Sequence, residues 1–150
     1  MLAPMDRFWE TKTLAEMSRA EWEQLCDGCG RCCVYVIHDE ETGDVFETDV
    51  ACGLFDPKKR RCTDYKNRTR RAPDCVRLTA KIAPEFSWLP PTCAYRRLSE
   101  GKTLPRWHPL LTGDPESVVR AGVAVDPDLE PVPVRKITDT LLAARVTKKR

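Results

Sequence analysis

Eight residues of this chain carry four thiols: Cys26, Asp27, Gly28, Cys29, Gly30, Arg31, Cys32 and Cys33. The spacing, Cys-x2-Cys-x2-Cys-Cys, puts the first three sulfurs where one turn of backbone can wrap them around a single ion or cluster. Gly28 and Gly30 can take positive φ, so the chain can turn tightly and aim backbone N–H groups at thiolate sulfurs. Four further cysteines, Cys52, Cys62, Cys75 and Cys93, follow at wide intervals. All eight are candidate metal ligands.

Two other uses of cysteine compete with this one. A free cysteine is often a small buried hydrophobe, but four within a stretch of Asp, Gly and Arg do not read as core filling. An even number of cysteines also suits a disulfide framework. Against it, Met1 to Glu10 shows no basic segment followed by an apolar one, so a cytoplasmic chain with reduced thiols is expected. Adjacent Cys32 and Cys33 are also poorly placed to bond to each other.

The elements that must hold these residues follow from pattern. With 150 residues and 32% charged side chains, a single small α+β domain is expected: short helices and a β-hairpin organised around the cysteine-ligated centre. Its cysteine core runs over about 19–97, and a helical, cysteine-free extension over about 98–150. Twelve prolines and the dilution of apolar residues make metal binding a natural contributor to stability. No run approaches the ~20 apolar residues of a membrane helix.

Residues 6–25 read as helix, and two capping boxes, Thr13 with Glu16 and Ser18 with Glu21, predict a break and a second helix from about Arg19 that delivers Cys26. Trp9 and Trp22 read as core aromatics. Val34 to Ile37 and Val45 to Val50 form a hairpin with Gly43 in its turn, which returns Cys52 to the side of the cysteine run. Val76 to Ile82 reads as a short helix or strand ended by Pro84. Trp88 to Cys93 is stiffened by two prolines, and Ala94 to Gly101 is a helical turn with a glycine stop. A helix capped by Asp114 with Pro115 at its first position ends at Gly122; Ile137 to Val146 is a last helix, and Lys148 to Arg150 a frayed tail.

Between positions 58 and 77 nine Lys or Arg stand against two acids, Asp64 and Asp74. Such a run can bind phosphates, but offsetting the negative charge of clustered thiolates, or a solvated surface, is the preferred reading. His38, at a hairpin turn, and His108, between Trp107 and Pro109, are not counted as ligands.

Taken together, Phe8-Trp9-Glu10, Glu21-Trp22-Glu23, Leu25 through Cys33, Cys52 to Asp56, Arg61 to Tyr65, Pro73 to Val76, Leu89 to Arg96 and Trp107 to Leu110 with Gly113-Asp114 resemble the YcgN-type branch of the bacterial CxxCxxCC cysteine-cluster family, whose domain is described as zinc- or iron-chelating. The resemblance implies that the cysteines are the ligands, with Cys93 particular to this branch. An iron–sulfur cluster or iron is favoured because the run is denser than two Cys-x2-Cys knuckles require, and it would serve metal handling or redox. Zinc is the alternative: eight thiolates make two tetrahedral sites, Cys32 and Cys33 pointing one to each, in a module that binds a protein or, less readily, a nucleic acid. No phosphate loop, Ser-His-Asp set or His-Glu-x-x-His motif points to an enzyme.

Overall fold

The computed structural model describes residues 7–150, so position 6 of the expected first helix lies outside the described residues. In chain order the elements are α1 (Phe8–Thr11), α2 (Arg19–Gln24), β1 (Val34–His38), β2 (Val45–Cys52), β3 (Phe55–Asp56), β4 (Arg61–Cys62), α3 (Arg68–Arg71), α4 (Ala94–Ser99), α5 (Pro109–Thr112), α6 (Ser117–Arg120), β5 (Pro131–Val132), α7 (Asp139–Ala144) and β6 (Val146–Lys149). The short helices and antiparallel strands are those of a small α+β protein. The chain divides into two compact units, each built from two separate stretches: the described residues up to 27 with 78–122, and residues 28–77 with 123–150.

The first unit is held by an apolar cluster of Phe8, Trp9, Leu25, Phe86, Leu89, Ala94, Tyr95 and Leu104. Both expected capping boxes form: Glu16 accepts from the Thr13 N–H, and Ser18 and Glu21 bond each other's backbone N–H groups. The break between them is real, and α2 begins at Arg19. Trp9 is a core residue. Trp22 lies against Tyr95 with ring centroids 4.8 Å apart, and the Tyr95 hydroxyl donates to the Trp22 carbonyl at 2.7 Å.

Two expected elements in this unit are corrected. Pro84, whose fixed φ suits a turn, does not end a segment but lies inside a run of short 3-10 turns over Ala80–Trp88, whose ends are closed by the Ile82 and Leu89 N–H groups. The helix expected from Asp114 starts two residues later, because the Asp114 carboxylate bonds the Glu116 N–H at 2.9 Å and closes a side-chain turn first.

The second unit is organised by β2. On one edge it pairs antiparallel with β1, Val36 opposite Glu47 and His38 opposite Val45, through a turn in which Gly43 has φ 77°. A bulge between Val34 and Val36 leaves the Tyr35 carbonyl outside the ladder, and the buried Thr48 hydroxyl donates to it at 2.7 Å. The other edge is shared: β6 runs antiparallel beside Phe46 to Thr48, and β5 parallel beside Ala51 and Cys52. Just beyond, β3 and β4 pair Phe55 with Cys62.

The C-terminal residues are therefore a strand, where the charge pattern predicts a frayed tail. The hairpin's acids explain the difference. Arg145 pairs with Asp49 at 2.8 Å, Lys149 with Asp44 at 3.2 Å, and Arg150 with Glu47 at 3.4 Å. Glu47 also accepts Arg31, from the cysteine run, at 3.0 Å, and the Arg150 side chain is only 6% exposed. Burial lowers the Arg150 pKa, Glu47 opposing and Arg31 adding to it.

One carboxylate thus holds two guanidiniums that otherwise repel. Glu47→Ala is expected to lose about 1–3 kcal/mol and Arg150→Ala about 1 kcal/mol, discounting a fully buried pair for partial exposure. Urea unfolding checks this: Glu47→Ala is expected to lose more than Arg150→Ala, and an equal or smaller loss would show that Glu47 does not bridge.

Candidate metal centre

Two turns of the second unit share one local design, Cys-Gly-x. At Cys29-Gly30-Arg31 the Arg31 N–H donates to the Cys29 sulfur at 3.5 Å. At Cys52-Gly53-Leu54 the Leu54 N–H bonds the Cys52 sulfur and draws its thiol pKa down, against burial, which raises it most, and against Cys62. Such N–H···S bonds favour the thiolate. Both glycines are required by close approach. Gly30, at φ 79°, lies so near Phe55 that a Cβ would come within 2.6 Å of its ring, and one on Gly53 would come within 2.8 Å of the Val132 carbonyl oxygen.

The sulfurs of Cys32, Cys52, Cys62 and Cys75 lie in one electrostatic neighbourhood. Burial pushes the Cys75 thiol up most; Arg68 opposes this, and Cys32, Cys52 and Cys62 add to it. The four come from different places: the 3-10 turn Arg31–Cys33, the end of β2, β4, and the loop after α3, where the Cys75 N–H returns to the Ala72 carbonyl at 2.8 Å. Tyr35, re-aimed by the β1 bulge, belongs to the same neighbourhood. Its phenol is pushed up to about 12, by burial first and then by Cys52, Asp74, Cys75 and Cys33, so at neutral pH it is an O–H donor.

Of the eight expected ligands, Cys29, Cys32, Cys33, Cys52, Cys62 and Cys75 belong to the second unit, and Cys26 and Cys93 to the first. Cys33 stands at the start of β1, whose Val34 pairs with Ala51, so the hairpin does return Cys52 beside the run. Cys93 sits at the N-terminal boundary of α4, packed against the apolar cluster. Among the described residues no three His, Cys, Asp or Glu side chains are gathered closely enough to hold an ion as they stand. The donor chemistry nevertheless fits a thiophilic metal: four sulfurs in one neighbourhood, one with a backbone N–H donor and one beside a guanidinium.

His108 has a role the sequence conceals. Its ring is 0% exposed; Nδ1 accepts the Leu110 N–H at 3.0 Å, capping α5, and Nε2 lies 2.8 Å from the Leu25 carbonyl. With Nδ1 accepting, Nε2–H is the donor. The imidazole is neutral, burial lowering its pKa more than Leu25 and Asp27 raise it. It pins the residue immediately before Cys26. Tyr35 and His108 carried no sequence signal of these roles, whereas Arg68 belongs to the basic run read as offsetting thiolate charge, and the Cys29-Gly30 pair was visible in the sequence.

A small α+β fold whose partly buried and exposed thiols include two served by backbone N–H groups is the kind of fold a cysteine-cluster protein presents. The comparisons agree. The CxxCxxCC family, described as "Putative zinc- or iron-chelating domain", matches residues 25–94. A UPF0260 protein from Rhizorhabdus wittichii is 60% identical over 118 residues, 79% of this chain and 81% of that protein. Others from Caulobacter vibrioides and Azotobacter vinelandii are 56% and 53% identical over 124 residues, 83% of this chain and 76% and 83% of theirs. The chain belongs to the UPF0260 family. No solved structure matches it.

Gly28 has φ 78° but open space around it. Gly28→Ala should therefore cost only the left-handed strain, about 1–2 kcal/mol, and Gly30→Ala a further ~1–3 kcal/mol for displacing Phe55, read as shifts of the denaturant midpoint. A second expectation concerns pH. Because His108 has a lower pKa folded than unfolded, its contribution is intact above the unfolded value, about 6.5, and is lost as pH falls below it. His108→Gln should flatten the fall in thermal midpoint between about pH 7 and 5; an unchanged slope would show that His108 is not buried neutral.

Proposed function

We propose that this protein holds iron, as an iron–sulfur cluster or as the ion, through cysteine thiolates, and acts in metal handling or redox in the cytoplasm. The observation that carries the reading is that the hairpin pairs Val34 with Ala51, returning Cys52 beside the cysteine run, while β4 pairs Cys62 with Phe55 just beyond β2, and that Cys32, Cys52 and Cys62 all act on Cys75. Several thiolates at close quarters without a cation are unfavourable, and a bound metal reverses the sign of that interaction. One four-thiol set within a unit of six cysteines also suits a single centre with sulfurs to spare. Cys26, Cys29, Cys33 and Cys93 complete the ligand pool. When bound, iron would supply one-electron chemistry or be the cargo itself.

The chain's own groups would do the rest. Leu54 N–H holds the Cys52 sulfur, and Arg31 N–H that of Cys29. Arg68 offsets negative charge at Cys75, and the neutral Tyr35 phenol offers a donor on the same side. The second reading, a zinc-stapled module for a protein or nucleic-acid partner, draws on the two Cys-Gly-x turns, which would hold zinc thiolates equally well.

Protein purified without oxygen is expected to be brown, with iron and acid-labile sulfide; colourless protein with zinc supports the staple. Cys52→Ser and Cys75→Ser should abolish stoichiometric metal, and Cys29→Ser should lower it, while Cys93→Ser, at the edge of an apolar cluster, should retain most of it. Full metal in the Cys52→Ser and Cys75→Ser variants would refute the assignment.

A further inference from the structure

The segment 58–77 carries nine cations against two acids. Its nine cations sort by burial. Arg60 and Arg68 are half-buried and turned inward: Arg60 donates to the Gly28 carbonyl at 2.9 Å, and Arg68 donates to the Tyr65 carbonyl at 2.7 Å and acts on Cys75. The other seven are exposed. The contrast with the hairpin is instructive. There six acids lie between positions 39 and 49, and cations from residues 145–150 pair with three of them. Within 58–77 Arg71 pairs with Asp64 at 3.0 Å, and two acids cannot neutralise seven exposed cations.

An aromatic side chain stands among these charges. Tyr65 is 46% exposed, and the Arg68 guanidinium covers one of its faces at 3.7 Å from the ring centroid. A tyrosine braced by an arginine offers a flat surface on which a base can stack, while neighbouring lysines and arginines meet phosphates. The local helix, α3, spans only four residues, too short to lie along a duplex major groove. Unstacked bases suit the aromatic surface better than paired ones.

We propose that this face binds single-stranded nucleic acid, with Lys58, Lys59, Arg61, Lys66 and Arg70 on the phosphates and a base stacked on Tyr65. The inference does not rest on the identity of the metal. Its test is fluorescence anisotropy of a labelled oligouridylate of about 16 nucleotides with the metal-loaded protein, its metal content measured alongside.

Binding at low salt is expected, weakening as salt rises with a logarithmic slope of about −0.7 per phosphate contacted. Tyr65→Ala, and Lys58→Glu combined with Lys59→Glu, should each weaken it by about tenfold or more. Tyr65→Phe should bind like the native protein, and every variant should keep its metal. No binding at low salt overturns the proposal. So does binding that Tyr65→Ala leaves unchanged, or preference for polyglutamate or a duplex of the same length over the single strand.

Discussion

Thiols whose ionisation is opposed by burial and by one another set the terms of this structure. Burial makes ionisation of Cys52 and Cys75 harder, and neighbouring sulfurs add to that cost: Cys62 at Cys52, and Cys32, Cys52 and Cys62 at Cys75. The fold answers with dipoles and cations where the backbone can supply them: the Leu54 and Arg31 N–H groups, the Arg68 guanidinium, and the neutral phenol of Tyr35. These are partial answers, and a thiophilic cation is the complement they leave room for.

The second unit shows how such a neighbourhood is built from little regular structure. β2 is its organising strand because three others pair with it, and its last residue is Cys52. The bulge in β1 redirects Tyr35, and Thr48 satisfies the carbonyl that the bulge frees. Glu47 links the cysteine run to the last strand through Arg31 and Arg150. The same strand therefore positions a thiol and anchors the segments on either side of it.

Charge is distributed unevenly along the chain, and the two halves of that distribution are handled differently. The acids of the hairpin are met by cations brought from a hundred residues away. The nine cations of 58–77 outnumber the two acids of their own segment, of which Asp64 pairs with Arg71, and seven of the cations face water. That asymmetry separates the two inward arginines, which serve the fold and the thiols, from an outward surface with a different use.

Much of the local structure was legible in the sequence because it rests on short-range rules. Ser18 with Glu21 announces a helix start, Gly43 a hairpin turn, and Gly30 a left-handed bend beside a sulfur, and each is found. The family was legible for the same reason, since clustered cysteines at fixed spacing are a local pattern. The frayed tail, the helix at Asp114 and the segment ended by Pro84 were misread, because a distant acid, a side-chain turn and a 3-10 conformation decided them. Type and spacing alone determined that this is a thiol-rich, metal-directed α+β chain. Tertiary structure alone decided that Tyr35 joins the sulfurs and that Arg68 is the cation of the basic run acting on Cys75, that His108 pins the entry to the run, and that Cys93 packs on an apolar cluster. Those roles depend on which burial and which charge each side chain meets, and these are set by residues far away in the chain.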